Sequence, residues 1–149
     1  MRLRHDAKQC IWSVIAIALF LTGCAQTPTQ QPAMASASSA VTFTRSALAG
    51  TRQRVGYYAN LNPDCSFGGY ATVRTEAPPS HGTVEFVEGE GYTNYPTTNQ
   101  RYQCNAVKSR MIEVFYTSVP GYTGPDEFVH RVIFPGGTAT SYTYVISVE

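Results

Sequence analysis

The sequence predicts an all-β protein: a single sandwich of about seven antiparallel strands, preceded by a secretory signal and a flexible tether. Three observations predict it. From Val41 onward, short stretches alternate apolar and polar residues with a period of two, the mark of half-buried antiparallel strands. Clusters of Gly, Pro, Asn and Asp separate those stretches. Ten Tyr, 12 Gly and 9 Pro stand beside only 14% charged residues, whereas a helical bundle would draw on Ala, Leu, Glu and Lys. The aromatic content also argues against a disordered chain.

The chain has 149 residues, and 11 Lys+Arg against 10 Asp+Glu leave a formal charge of +1. That length suits one domain. Nucleic-acid binding needs a basic stripe, and this balance does not provide one, so no nucleic-acid partner is expected.

Residues 1–23 read as a signal peptide. Arg2, Arg4 and Lys8 form a positive start, and Cys10 to Leu21 is an apolar run broken only by Ser13. Spanning a membrane takes about 20 apolar residues, so this run is too short and fits the core of a secretory signal. It ends in Leu21-Thr22-Gly23-Cys24. This tetrapeptide resembles the lipobox of bacterial lipoproteins, which implies acylation of Cys24 and a membrane partner reached through that lipid. Ala25 follows the cysteine where the family's inner-membrane retention signal has Asp, so the resemblance implies the outer membrane. Two or more acyl chains anchor stably where one does not.

Residues 24–40 read as a tether after the acylated cysteine. Residues 25–40 carry no charge, no aromatic ring and no β-branched aliphatic residue, too little apolar surface to offset the entropy of ordering. As a coil such a segment spans about 20–25 Å, and about 50 Å when stretched. The chain from Cys24 on carries eight Lys+Arg and nine Asp+Glu, a net charge of −1.

Residues 41–149 form the predicted sandwich. Val55, Tyr57 and Ala59 are expected on one face of the first clear strand. Val73 opposes Arg74 in the next. Val84 with Phe86, then Val114 with Tyr116, then Phe128 with Val132, then Tyr144 with Ile146 follow at period two, and these eight are the expected core. Turns fall at Asn62-Pro63-Asp64, Pro78 to Gly82, Pro120-Gly121, Gly124-Pro125-Asp126 and Pro135-Gly136-Gly137. With Cys10 and Cys24 assigned, Cys65 and Cys104 remain as an even pair in an oxidising compartment, so a disulfide is expected.

The stretch Val114 to Val132, with Gly121-Tyr122, Gly124-Pro125-Asp126-Glu127-Phe128 and alternation after it, resembles the Ig-like and cadherin-like modules of secreted bacterial proteins. Pro78 to Phe86 is similar to their strand start. The resemblance implies an Ig-like sandwich and says little of function. It lacks the acidic clusters of calcium-binding repeats, so no calcium and no other cofactor or metal is expected. In its turn Tyr122 is expected to fold over the sandwich end and Asp126 to accept turn amides.

Chemistry is sparse. His81 is expected in solvent and His130 in the core or at its rim, with its ring nitrogens satisfied. Ser80, His130 and Asp126 are the residue types of a hydrolytic triad, but no nucleophile elbow surrounds a serine. Glu85, Glu88 and Glu90 lie close enough in sequence for two of them to form the carboxylate pair of a glycosidase, and are more simply read as a solvated strand end. The protein is therefore read as non-catalytic. The richest stretch is the expected loop over 88–103, where Tyr92, Tyr95, Arg101 and Tyr102 stand among Thr, Asn and Gln. Tyr and Arg anchor interfaces, Asn and Gln adapt to them, and the same mix stacks on sugars. The plain structural alternative is that these tyrosines cover the sandwich edge. The functional expectation is an outer-membrane lipoprotein whose sandwich is a binding or structural module for an envelope protein or glycan. Two other readings are an inhibitor or immunity protein against a cell-wall hydrolase or toxin, using the three glutamates, and an accessory lipoprotein of a secretion or pilus system.

Overall fold

The computed structural model describes residues 40–149. The signal over 1–23, Cys24 and the tether over 24–39 lie outside the described residues. Seven strands form: β1 (Val41–Ala47), β2 (Gln53–Tyr58), β3 (Thr72–Ala77), β4 (Gly82–Gly91), β5 (Ser109–Ser118), β6 (Gly124–Ile133) and β7 (Ala139–Val148). A short 3₁₀ helix, Tyr102–Ala106, lies between β4 and β5. One sheet is ordered β1-β7-β6-β3 and the other β2-β5-β4. The all-β class and the seven strands in two layers match the sequence reading.

The pairings are antiparallel with one exception. β1 runs parallel to β7, from Val41 opposite Tyr142 to Ala47 opposite Val148. β1 is a mostly exposed edge strand, so the alternation that marks the antiparallel strands does not extend to it and does not report its direction. A parallel pair needs a long crossover, and here the rest of the domain supplies it.

The two sheets close on one apolar core. Ile112, Val114 and Tyr116 of β5 meet Phe128 and Val132 of β6 and Tyr144, Ile146 and Val148 of β7. Val114, Tyr116, Phe128, Val132 and Ile146 are wholly buried. Val84 and Phe86, also expected here, are half-buried and pack against this core because β4 is an edge strand.

β2 departs from the expected alternation. A bulge between Arg54 and Gly56 shifts its register against β5. Val55 and Tyr58 are both buried, three residues apart, and Tyr57 stays out of the core. A bulge adds one residue to one strand and so breaks period two. Glycine at position 56 has a steric reason: a Cβ there would lie 2.1 Å from the Tyr144 hydroxyl.

Strand polarity sorts the connections to two ends. The β1–β2, β3–β4 and β5–β6 connections share one end, which Asp126 fastens. Its carboxylate accepts the Ser80 amide at 2.9 Å, the His81 amide at 3.1 Å, the Glu127 amide at 2.9 Å and the Tyr116 hydroxyl at 2.7 Å. Burial pushes the Asp126 carboxyl up, but these four donors outweigh it and hold the group below the usual carboxylate range. Burial, with the Asp126 bond and charge, raises the Tyr116 phenol. Tyr122 stacks on His81 at 4.0 Å and donates to the Pro125 carbonyl at 2.6 Å. Ser80 thus meets Asp126 through its amide, and His130 bonds elsewhere, so these contacts form no triad relay.

Candidate functional site

The opposite end gathers the β2–β3, β4–β5 and β6–β7 connections and the start of β1. The β4–β5 connection begins later in the chain than the sequence suggested. Glu88 to Gly91 extend β4, paired with Ile112 to Ser109 of β5, so the loop proper begins at Tyr92. Glu88 and Glu90 are exposed on that strand, and Glu85 pairs with Arg52 at 2.8 Å. The acidic loop required by an inhibitor reading is therefore an edge strand.

Side chains from neighbouring elements pin the loop. Asn105, in the 3₁₀ helix, accepts the Thr93 hydroxyl at 2.8 Å and the Tyr95 amide at 2.9 Å through Oδ1. Its Nδ2 donates to the Tyr95 carbonyl at 2.9 Å. The Tyr57 hydroxyl donates to Asn94 Oδ1 and accepts the Asn94 amide at 2.9 Å. Arg101 Nε donates to the Leu61 carbonyl, and Gln103 Nε2 donates to the Pro63 carbonyl at 2.9 Å. The Cys65–Cys104 disulfide joins the same two segments, with Cα atoms 5.3 Å apart and Cys104 fully buried. The expected bridge thus ties the β2–β3 loop to the 3₁₀ helix. A loop held in this way loses little further freedom on binding.

Two adjacent hollows flank Tyr95, of about 280 Å³ and about 330 Å³. Ala59, Tyr95 and Phe134 belong to the walls of both. Arg45 lines the first hollow and Arg101 the second. Of the four residues expected to make contact, the structure brings Tyr95 and Arg101 together here. Tyr92 and Tyr102 line neither hollow and stand out in solvent, 57% and 50% exposed. Burial raises the half-buried Tyr95 phenol despite the lowering pull of Arg101, so it is a neutral donor and acceptor at pH 7.

Sequence reasoning missed four contributors. Phe43 and Arg45 come from β1, Phe134 from the β6–β7 turn, and Asn105 works behind the loop. Only topology brings the first three beside Tyr95. Asn105 had a local signal, since Asn bonds readily to nearby backbone.

Beneath the first hollow lies a buried polar relay. The Tyr58 hydroxyl is hydrogen-bonded to His130 Nε2 at 2.7 Å and lies 3.3 Å from the Tyr144 hydroxyl. Tyr58 and Tyr144 both line the hollow. Burial raises both phenols. His130 is fully buried among the Phe86, Phe128, Tyr142 and Tyr144 rings, and its Nδ1 has no partner among the described residues. Burial lowers its pKa to about 4.

A pH dependence follows. The folded pKa lies below the ordinary value of 6.5, so the unfolded chain binds more protons between the two. Stability is full above about pH 6.5 and falls by about 3 kcal/mol as pH drops toward 4. Asp126, also depressed, adds its loss only at still lower pH. Urea titrations at pH 7, 6 and 5 should show this slope while Asp and Glu remain ionised, and His130→Phe should flatten it.

Comparison with protein-family models, curated proteins and solved structures finds no match for this chain.

Proposed function

We propose that this protein is a non-catalytic binding module of the bacterial envelope, held at the outer membrane by lipid on Cys24. It recognises an envelope protein or glycan through the end of the sandwich that carries Tyr95. The observation that carries this reading is the placement of Tyr95 between two hollows on a loop fixed by Asn105 and by the disulfide. Pinned aromatic and Arg anchors at the centre of a concave surface are the composition of interface hot spots. The partition of strands supports an Ig-like class. β2-β5-β4 and β7-β6-β3 group as the B-E-D and G-F-C strands of immunoglobulin domains do, with β1 moved to the second sheet. Loops at one end of such sandwiches are a common place for recognition.

Tyr95→Ala tests the reading. It should weaken cross-linked capture of partner from native envelopes by more than about 1 kcal/mol and leave the melting temperature nearly unchanged. A lowered melting temperature with unchanged capture would mean that Tyr95 only covers the sandwich edge. The anchor has its own check. An alkyne palmitate fed to cells should label the wild type and not Cys24→Ser, and equal labelling of both would remove the lipid from the proposal.

A further inference from the structure

We propose that the groove across Tyr95 binds a carboxylate-bearing sugar within an acidic glycan, an assignment that rests on this end being the contact surface. Charge is the first argument. Among the described residues lining the two hollows, the charged side chains are Arg45 and Arg101, one in each hollow, with no carboxylate beside them. Neither forms an ion pair among the described residues; the three ion pairs there use Arg52, Arg54 and Arg131. The ligand that complements this wall is an anion.

Orientation is the second argument. Arg45 Nε donates to the Val55 carbonyl at 2.8 Å and Nη1 to the Thr44 carbonyl at 2.8 Å. Arg101 Nε donates to the Leu61 carbonyl. These bonds hold Arg45 at two nitrogens and Arg101 at one before any ligand arrives, and terminal N–H groups remain on each. A fixed guanidinium fork matches the two oxygens of a carboxylate better than a point charge would.

Wall chemistry is the third. A small bare anion needs cations alone. Here the cations stand beside the flat rings of Tyr95 and Phe134 and the amides of Asn60 and Asn94. Rings suit the apolar face of a sugar, and amides suit its hydroxyl rim. The hollows, about 280 Å³ and 330 Å³, sit at the small end of ligand sites, so each suits one ring and the pair suits two consecutive sugar units across Tyr95. An acidic peptide is the weaker fit. Extended peptides gain affinity by adding to an open sheet edge; the edge strands β1 and β2 line only the first hollow, and the second is walled by residues outside the strands.

The test uses the full chain in detergent on an array of uronic-acid, muramic-acid and sialic-acid oligosaccharides. Each is spotted beside its carboxyl-reduced form, and hexaglutamate is included. The expected result is retention on at least one acidic glycan, with a loss of about tenfold or more on its reduced form. Arg101→Gln and Arg45→Lys should each reduce that retention by a similar factor in protein that is still folded at the assay temperature, the second because it keeps charge and loses the fork. Equal retention of acid and reduced forms, preference for hexaglutamate, or no retention on any acidic glycan overturns the proposal. If the glycans fail while Tyr95→Ala still lowers envelope capture, the ligand class falls and the contact surface stands. If both fail, both readings fall.

Discussion

Phe128→Ala should lower the unfolding free energy by about 3–5 kcal/mol, the range for a large aromatic side chain removed from a sealed core. Phe128 is fully buried. Its ring lies near-parallel to Tyr144 at 5.0 Å and to Tyr116 at 6.1 Å, and His130 stacks at 5.6 Å. These neighbours have little freedom to collapse into the vacated space. The Tyr116 hydroxyl is held by Asp126, the Tyr144 hydroxyl lies beside Tyr58, and His130 is bonded to Tyr58. Moving any of them would leave a buried polar group unpaired, which costs about 1–3 kcal/mol. The cavity therefore persists. Urea denaturation of the variant measures it, and a change below about 0.5 kcal/mol would show that this ring does not join the sheets.

Replacing Cys65 and Cys104 together by Ser should cost about 2–5 kcal/mol, as for native bridges of small secreted domains. The bridge spans 39 residues, for which the chain-entropy model gives about 4 kcal/mol. Its effect reaches the groove. Cys65 sits at φ 68 in a turn that Asp64 stabilises by accepting the Ser66 amide at 3.0 Å, and Cys104 anchors the 3₁₀ helix that carries Asn105. Reduction should therefore loosen the Tyr95 loop as well as lower the melting temperature. Digestion without reductant should yield one peptide joining the two cysteines, and two free thiols in protein isolated without reductant would refute the bridge.

The central strands were the legible part of the fold. β5, β6 and β7 have a neighbour on each side and one face on the core, so burial imposes a clean alternation on their sequences. Val114 with Tyr116, Phe128 with Val132 and Tyr144 with Ile146 all carry it. β2 was misread because its bulge puts Val55 and Tyr58 on the same side and frees Tyr57 to brace Asn94. Gly89 and Gly91 fall inside the loop expected over 88–103, yet both lie in β4. A Cβ at Gly89 would stand 2.5 Å from the Glu113 carboxylate, so the glycines mark close approach between paired strands and not a change of direction. The disulfide could be read by counting cysteines. Within the groove, Tyr95 and Arg101 were visible as a local concentration of anchoring residues. Arg45 and Phe43 were not, because they reach the site through a pairing between the first and last strands that no local pattern encodes, and Phe134 was not, because it arrives from the β6–β7 turn.

That pairing also has a mechanical meaning. Because β1 runs parallel to β7, Val41 opens its strand at the groove end of the sandwich. Traction on the chain at Val41 pulls β1 lengthwise past β7, so the seven register pairs from Val41 to Ala47 are loaded together in shear and cannot open one at a time. Phe43 adds grip against the Tyr142 and Tyr144 rings, at 5.9 and 5.2 Å. At the far end a clasp closes over the C-terminus, with the Glu149 amide donating to Ala47 at 2.8 Å and the Ala49 amide donating to Glu149 at 2.9 Å. The first strand is a strap built to resist being drawn out lengthwise, and its first residue lies at the same end as the groove. A pull along the strand axis is shared over the whole of β1, as far as the Ala47–Val148 pair at the Asp126 end.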